Sequence, residues 1–282
     1  MEITENTLDV GKLNWFYREA IPNHQNDKPP VLLLHGLPSQ SYTWLLILDQ
    51  LAENGFRAIA PDWIGSGYSN KPDKRDFAYT TQAYLQALTD LINELNLDKL
   101  SLVVQGYLAS VGIQYALENP DKIEKLAILN TPITQNAKLP WLMSQWTFPF
   151  VGDMVTQDPL IIDRTLEGGS GFVVSDEKLD VYRRPFLKTS ASGRSLMATA
   201  KNLDLAKNTA EIEKGLTTWA KPTLILWGML DPWLPSDPVE QLAKSNPQIE
   251  FAKLPEAKHY PQEHWPQEVG EILIPFFRRQ GI

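Results

Sequence analysis

Four short, unbroken apolar runs constrain this chain more than any other feature: residues 31–34, 102–104, 126–129 and 223–227. Each is continuously hydrophobic rather than alternating, which suits parallel strands covered on both faces. Helical patterns lie between them. Within residues 84–96, Leu85, Leu88, Leu91, Ile92 and Leu95 fall on one helical face, and Thr80 or Thr81 is a suitable N-cap. The tail from Pro266 repeats the pattern with Val269, Ile272, Leu273 and Phe276. Strand–helix alternation of this kind predicts an open α/β fold, a mostly parallel central sheet flanked by helices.

The alternation breaks after Asn130, and strand-like runs resume only at Thr223. A length of 282 residues is plausible for one α/β domain carrying an insertion. The division expected is a core of residues 1–132 and 217–282 around a helical insertion of residues 133–216. The early insertion holds Trp141, Met143, Trp146, Phe148 and Phe150. Ordinary packing between insertion and core accounts for such side chains. The sharper alternative is that some of them roof a small apolar ligand pocket, because ligand sites favour such interfaces.

Composition removes whole classes of function. Twenty-six basic against thirty-four acidic residues give a net charge of −8, which argues against nucleic acid and anionic membrane as partners. With no cysteine, disulfides, thiolate metal sites and a cysteine nucleophile are all excluded. The only histidines are His24, His35, His259 and His264, so no metal site is expected. No segment approaches the roughly 20 apolar residues that span a bilayer. The acidic, polar start MEITENTLDV has no signal-peptide character, so the cytosol is the expected compartment.

Candidate chemistry begins at the first central strand. His35-Gly36 closes it, and loops at the carboxyl ends of strands line the ligand crevice of such sheets. The Leu37 N–H there is a candidate oxyanion donor; the alternative is a tight turn in which His35 makes structural hydrogen bonds. The segment PDWIGSGYSNKP, residues 61–72, forms a turn at Gly65-Ser66-Gly67 that lacks the Gly-Lys-Ser/Thr ending of a phosphate loop. Asp62 is read as a structural residue bonding nearby backbone. No cofactor is expected.

The HGLP loop, PDWIGSGYS, the long insertion, LILWGMLDPWLP and the terminal HYPQEHWPQEV occur in that order. Together they resemble the α/β-hydrolase superfamily, most closely its haloalkane-dehalogenase-like and epoxide-hydrolase-like branch, over residues 10–280. The resemblance implies a helical cap at 133–216 and a nucleophile on a sharp strand-to-helix turn. Matching that turn places Gly106 at the nucleophile position, with Gln105 and Tyr107 beside it. Glycine offers no reacting atom, and removing a side chain leaves space about the size of a hydroxyl or carboxylate. Ser101 lies at the far end of the strand, and Ser110 sits a turn into the helix pointing into protein. Asp231 matches the family's acid and His259 its base, while His264 reads as surface. The Tyr107 N–H joins Leu37 at the oxyanion site. Dehalogenation by the family's route is not expected, since the halide-stabilising positions hold Tyr107 and Leu37. The Val-Val-Gln-Gly elbow also resembles hydrolase-like proteins of photosynthetic organisms.

Three functions are compatible with these residues. The first is a non-classical or inactive hydrolase that keeps a pocket under the cap for a small apolar molecule, as a ligand-binding or regulatory module. The second is an enzyme in which the His259–Asp231 pair acts as general base on water or substrate, giving ester or carbonyl hydrolysis, lyase or cofactor-free oxygenase chemistry. The third is a structural or assembly role with a protein partner.

Overall fold

The computed structural model describes residues 2–24 and 28–279; residues 1, 25–27 and 280–282 of the expected core lie outside them. The chain opens with an antiparallel pair, β1 (Ile3–Val10) and β2 (Leu13–Ala20), turning at Gly11-Lys12. It continues through β3 (Val31–Leu34), α1 (Leu45–Glu53), β4 (Ala58–Pro61), α2 (Thr81–Glu94), β5 (Leu100–Gln105), α3 (Ser110–Glu118) and β6 (Ile123–Leu129). Helices α4 (Trp141–Ser144), α5 (Val151–Thr156), α6 (Leu160–Ser170), α7 (Asp176–Lys188), α8 (Ala191–Asn202) and α9 (Leu205–Thr217) follow before β7 (Thr223–Gly228). The chain ends with α10 (Ser236–Ser245), β8 (Ile249–Leu254), α11 (Pro261–His264) and α12 (Pro266–Arg278).

All eight strands form one sheet in the order β1-β2-β4-β3-β5-β6-β7-β8. Pairing is antiparallel through β1, β2 and β4 and parallel from there on. The four apolar runs lie in the strands β3, β5, β6 and β7. Alternate side chains enter two different cores: Leu32, Leu34, Leu102, Val104, Ile128 and Ile225 face one, and Val31, Leu33, Val103, Leu129, Leu224 and Leu226 face the other. Covering both faces is what makes these runs continuous, because no position is left for water.

Helix α2 starts where its cap was expected, with Thr80 Oγ1 accepting from the Ala83 N–H at 3.2 Å. In α12, Val269, Leu273 and Phe276 are buried against α1 and the sheet. The edge strands β1 and β8 escape a reading based on apolar runs because they are half exposed and carry mixed side chains.

The helices between β6 and β7 lie over the loops that follow β3, β4 and β8. Gln40 donates to the Val181 carbonyl at 3.0 Å, Tyr79 pairs with Ser195 at 2.9 Å, and the His259 N–H donates to the Gly169 carbonyl at 3.1 Å. Among the described residues no helix is long and apolar enough to cross a membrane.

Candidate active site

The site is built where the carboxyl ends of β3, β5, β6, β7 and β8 converge. After β5 the chain turns through Gly106, at φ +85°, and α3 begins at Ser110, which opens the helix rather than sitting a turn into it. That φ lies in the region where glycine is comfortable and other residues are strained. An ideal Cβ on Gly106 would stand 2.8 Å from Gly36 Cα, and one on Gly36 would stand 2.6 Å from Gly106 Cα. The two backbones therefore meet directly. The hydroxyl-sized space expected at this turn is occupied at its base by Gly36, a correction to the sequence reading. Ser110 is buried and donates to the Tyr107 carbonyl at 2.9 Å, so it serves the turn.

Asp231 and His259 are brought together: His259 Nδ1 lies 2.8 Å from Asp231 Oδ2 and both side chains are buried. The carboxylate also accepts from Asn130 Nδ2 at 2.8 Å and from the N–H groups of Trp233 and Leu234 at 2.8 and 3.2 Å. With an acceptor fixed at Nδ1, the proton resides there and Nε2 carries the lone pair. His259 Nε2 is buried and has no hydrogen-bond partner among the described residues. Its surroundings are aromatic, with the rings of Trp233, Tyr260 and Tyr107 centred 4.6, 4.8 and 5.7 Å away.

Three side chains that hold this arrangement were not singled out in the sequence. Asn130, at φ +35°, takes the Gly228 N–H at 2.8 Å on Oδ1, donates to Asp231 and offers its own carbonyl to the Gly106 N–H at 3.2 Å. It ties β6, the turn after β5 and the acid loop together. Gln105 donates to the His259 carbonyl at 2.7 Å, and Gln262 donates to Gln105 Oε1 at 3.0 Å and to Thr43 at 2.8 Å. An asparagine ending a buried strand is the one signal available, since Asn tolerates a positive φ better than most residues.

His35 acts structurally. Its Nε2 accepts the Trp63 N–H at 3.2 Å, which leaves the proton on Nδ1 to donate to the Gly36 carbonyl at 2.9 Å. Burial holds its pKa below the ordinary value, despite the opposing effect of Asp62. Asp62 itself accepts the Ser41 and Tyr68 N–H groups at 2.6 and 2.7 Å, the backbone role expected of it. Leu37 and Tyr107 are buried, and neither backbone N–H donates to a protein group among the described residues. The Tyr107 hydroxyl donates to the Lys138 carbonyl at 2.9 Å. Burial raises its pKa, so it stays protonated.

The aromatic residues of the insertion divide. Met143 and Trp146 are fully buried in the main core, whereas Phe150 is 88% exposed, Trp141 71% and Phe148 38%. Those last three stand at the surface and do not enclose a pocket. The side chains pressed on His259 come instead from Trp233, Tyr260 and Tyr107, and an ideal Cβ on Gly169 of α6 would lie 2.6 Å from Trp233 and 2.5 Å from Tyr260. Tyr182 of α7 donates to the buried carboxyl of Glu263, whose pKa burial raises.

His264 also departs from expectation. It ends α11, half buried, with its ring stacked on Phe172 at 5.1 Å. Burial, reinforced by Lys178, lowers its pKa to about 4. A histidine whose folded pKa is depressed stabilises the fold fully above the unfolded value and loses that contribution as pH falls. Replacing it with phenylalanine keeps the stack without the titration. The stability of His264→Phe relative to the parent is therefore expected to rise steadily as pH falls from about 6.5 to 4. Urea titrations at half-unit pH intervals read this; a constant difference would remove His264 from the acid response.

The α/β-hydrolase fold family model matches residues 29–264. Haloalkane dehalogenase 2 of Mycobacterium bovis is 26% identical over 276 residues, covering 93% of this chain and 94% of its own. A haloalkane dehalogenase of Mycolicibacterium paratuberculosis is 30% identical over 216 residues, 74% of this chain and 69% of that one. The crystal structure of a haloalkane dehalogenase from Bradyrhizobium elkani shares the fold with a TM-score of 0.87 at 24% identity, over 98% of both chains. By the matched family model and these relatives, the chain belongs to the α/β-hydrolase superfamily, in its haloalkane-dehalogenase-like branch.

Proposed function

We propose that this protein binds a small, largely apolar molecule beneath residues 133–216, which act as its cap, and handles it without a covalent intermediate. Gly106 takes the nucleophile's place in this reading and supplies no atom that can bond to substrate. The observation that carries the reading is the unpartnered, buried Nε2 of His259, held as a lone-pair acceptor by Asp231. A buried acceptor without a donor costs stability. A ligand O–H or N–H, or an acidic C–H, supplies the missing partner, while the rings of Trp233, Tyr260 and Tyr107 contact the rest of the molecule.

The same geometry favours a second reading, in which His259 removes a proton from water or from the bound molecule. The unclaimed N–H groups of Leu37 and Tyr107 are then the donors for a developing oxyanion, each worth about 3 kcal/mol in comparable sites. Halide displacement by an enzyme carboxylate is outside both readings.

One set of measurements separates them. Purified protein is incubated with ester, epoxide and haloalkane panels, and with apolar alcohols and phenols in thermal-shift assays. Non-covalent binding predicts a raised melting temperature, lost in His259→Ala, with no mass adduct. General-base chemistry adds turnover that His259→Ala abolishes. Turnover unchanged in His259→Ala, or a stable covalent adduct on the parent protein, is the result that sinks the proposal.

A further inference from the structure

A cavity of about 550 Å³ opens between α2, α3 and α9, away from His259. Its size falls within the range of small-molecule sites. Its lining combines an apolar wall, Leu85 and Leu117, with the polar side chains Thr80, Gln114 and Asn208, and exposed side chains of both charges, Glu118 and Lys207 among them, stand at its mouth. Asn208 is almost completely buried, and its Nδ2 donates to Thr81 Oγ1 at 2.6 Å and to the Leu203 carbonyl. A carbonyl cannot donate in return, so the orientation of the Asn208 amide is fixed with Oδ1 toward Gln114. Gln114 must answer with Nε2, which it does at 3.2 Å. Its Oε1 is thereby forced to be the odd group out: Gln114 is 9% exposed, and this oxygen has no partner among the described residues. Thr80 complements it. Its Oγ1 accepts the Ala83 N–H, and its own hydroxyl hydrogen has no acceptor among the described residues.

We infer that this cavity is a binding site for a small molecule bearing a primary carboxamide on a short alkyl chain. The amide N–H₂ extends the Asn208–Gln114 chain by donating to Gln114 Oε1, and its carbonyl accepts from Thr80. The alkyl part lies against Leu85 and Leu117. A carboxylate lacks the N–H that the site requires, and an N,N-dialkylated amide lacks it too.

Butanamide, butanoate and N,N-dimethylbutanamide make the test, added to the full-length protein and followed by side-chain amide NMR. Butanamide is expected to saturate and to shift the Gln114 and Asn208 amide signals. The dimethyl analogue should bind about ten-fold more weakly or worse, the effect of one unmatched buried acceptor. Gln114→Met should reduce butanamide binding by a similar factor. If that variant does not fold, Leu117→Trp, which fills the cavity from its half-buried wall, should abolish binding. Binding should persist in His259→Ala. Equal binding of the three probes, full binding in the folded Gln114→Met or Leu117→Trp variant, or loss of binding in His259→Ala each overturns the inference.

Discussion

Replacing Gly106 with serine is expected to destabilise the protein by about 2–6 kcal/mol, a fall in melting temperature of roughly 5–15 °C. Two effects add. A side chain at φ +85° carries backbone strain of about 1–3 kcal/mol, because its Cβ crowds the neighbouring carbonyl. The same Cβ would lie 2.8 Å from Gly36 Cα, a contact that only a shift of the loop after β3 can relieve. Overpacking of that order costs about 1–3 kcal/mol more. Gly11 is the internal control: its φ is +61°, but nothing lies within 4 Å of its ideal Cβ. Gly11→Ala should therefore show the strain alone, and the excess in Gly106→Ala measures the backbone contact. Gly36→Ala tests that contact from the other side without a positive φ and should cost about as much as that excess. Chemical denaturation of the four variants decides. A loss below about 1 kcal/mol in Gly106→Ser would show that Gly36 yields freely and that the turn still has room for a nucleophile.

That contact marks the limit of what the sequence disclosed. The strands β3, β5, β6 and β7 were legible because burial on both faces leaves no polar position to interrupt them. Asp231 and His259 were legible because motifs in family order fix their topological places, and the structure brings them within hydrogen-bonding distance. The meeting of Gly36 with Gly106 was not, because it depends on how closely two loops 70 residues apart approach, and glycine alone does not encode a neighbour. The surface placement of Trp141 and Phe150 escaped for a related reason. Without side-chain directions in short helices such as α4 and α5, an aromatic cluster reads equally as roof or exterior. His264 reads as surface in the sequence because its partner Phe172 comes from the insertion, and nothing local in AKHYPQEHW announces the stack. Asn130 and Gln105 carry the same lesson inside the site: their importance lies in tertiary hydrogen bonds, which no spacing rule anticipates.

Changing Asp231 should separate structural from chemical roles at the same atoms. Asp231→Ala leaves three donors without an acceptor, His259 Nδ1 and the N–H groups of Trp233 and Leu234, and leaves Asn130 Nδ2 with only the Gly228 carbonyl at 3.2 Å. Each unmatched donor costs about 1–3 kcal/mol, so a total loss of about 3–5 kcal/mol is expected after partial relaxation. Asp231→Asn differs in kind. The asparagine carbonyl can still receive the Trp233 and Leu234 N–H groups, but its N–H₂ then faces both the imidazole and the Asn130 Nδ2 donor, which is left with the Gly228 carbonyl alone. His259 Nδ1 must become the acceptor, and the ring proton moves to Nε2. The folded protein would then present a donor where the parent presents a lone pair. Nitrogen chemical shifts of His259 should report Nδ1–H in the parent and Nε2–H in Asp231→Asn. Any general-base activity should vanish with that change, at a stability cost of about 1–3 kcal/mol for the unmatched Asn130 donor, less than in Asp231→Ala. Ligands that donate to Nε2 should weaken by about ten-fold or more, while apolar ligands without a donor should be little affected. Unchanged nitrogen shifts in the asparagine variant would mean that Asp231 does not set the tautomer, and the case for His259 as a prepared acceptor would fall with it.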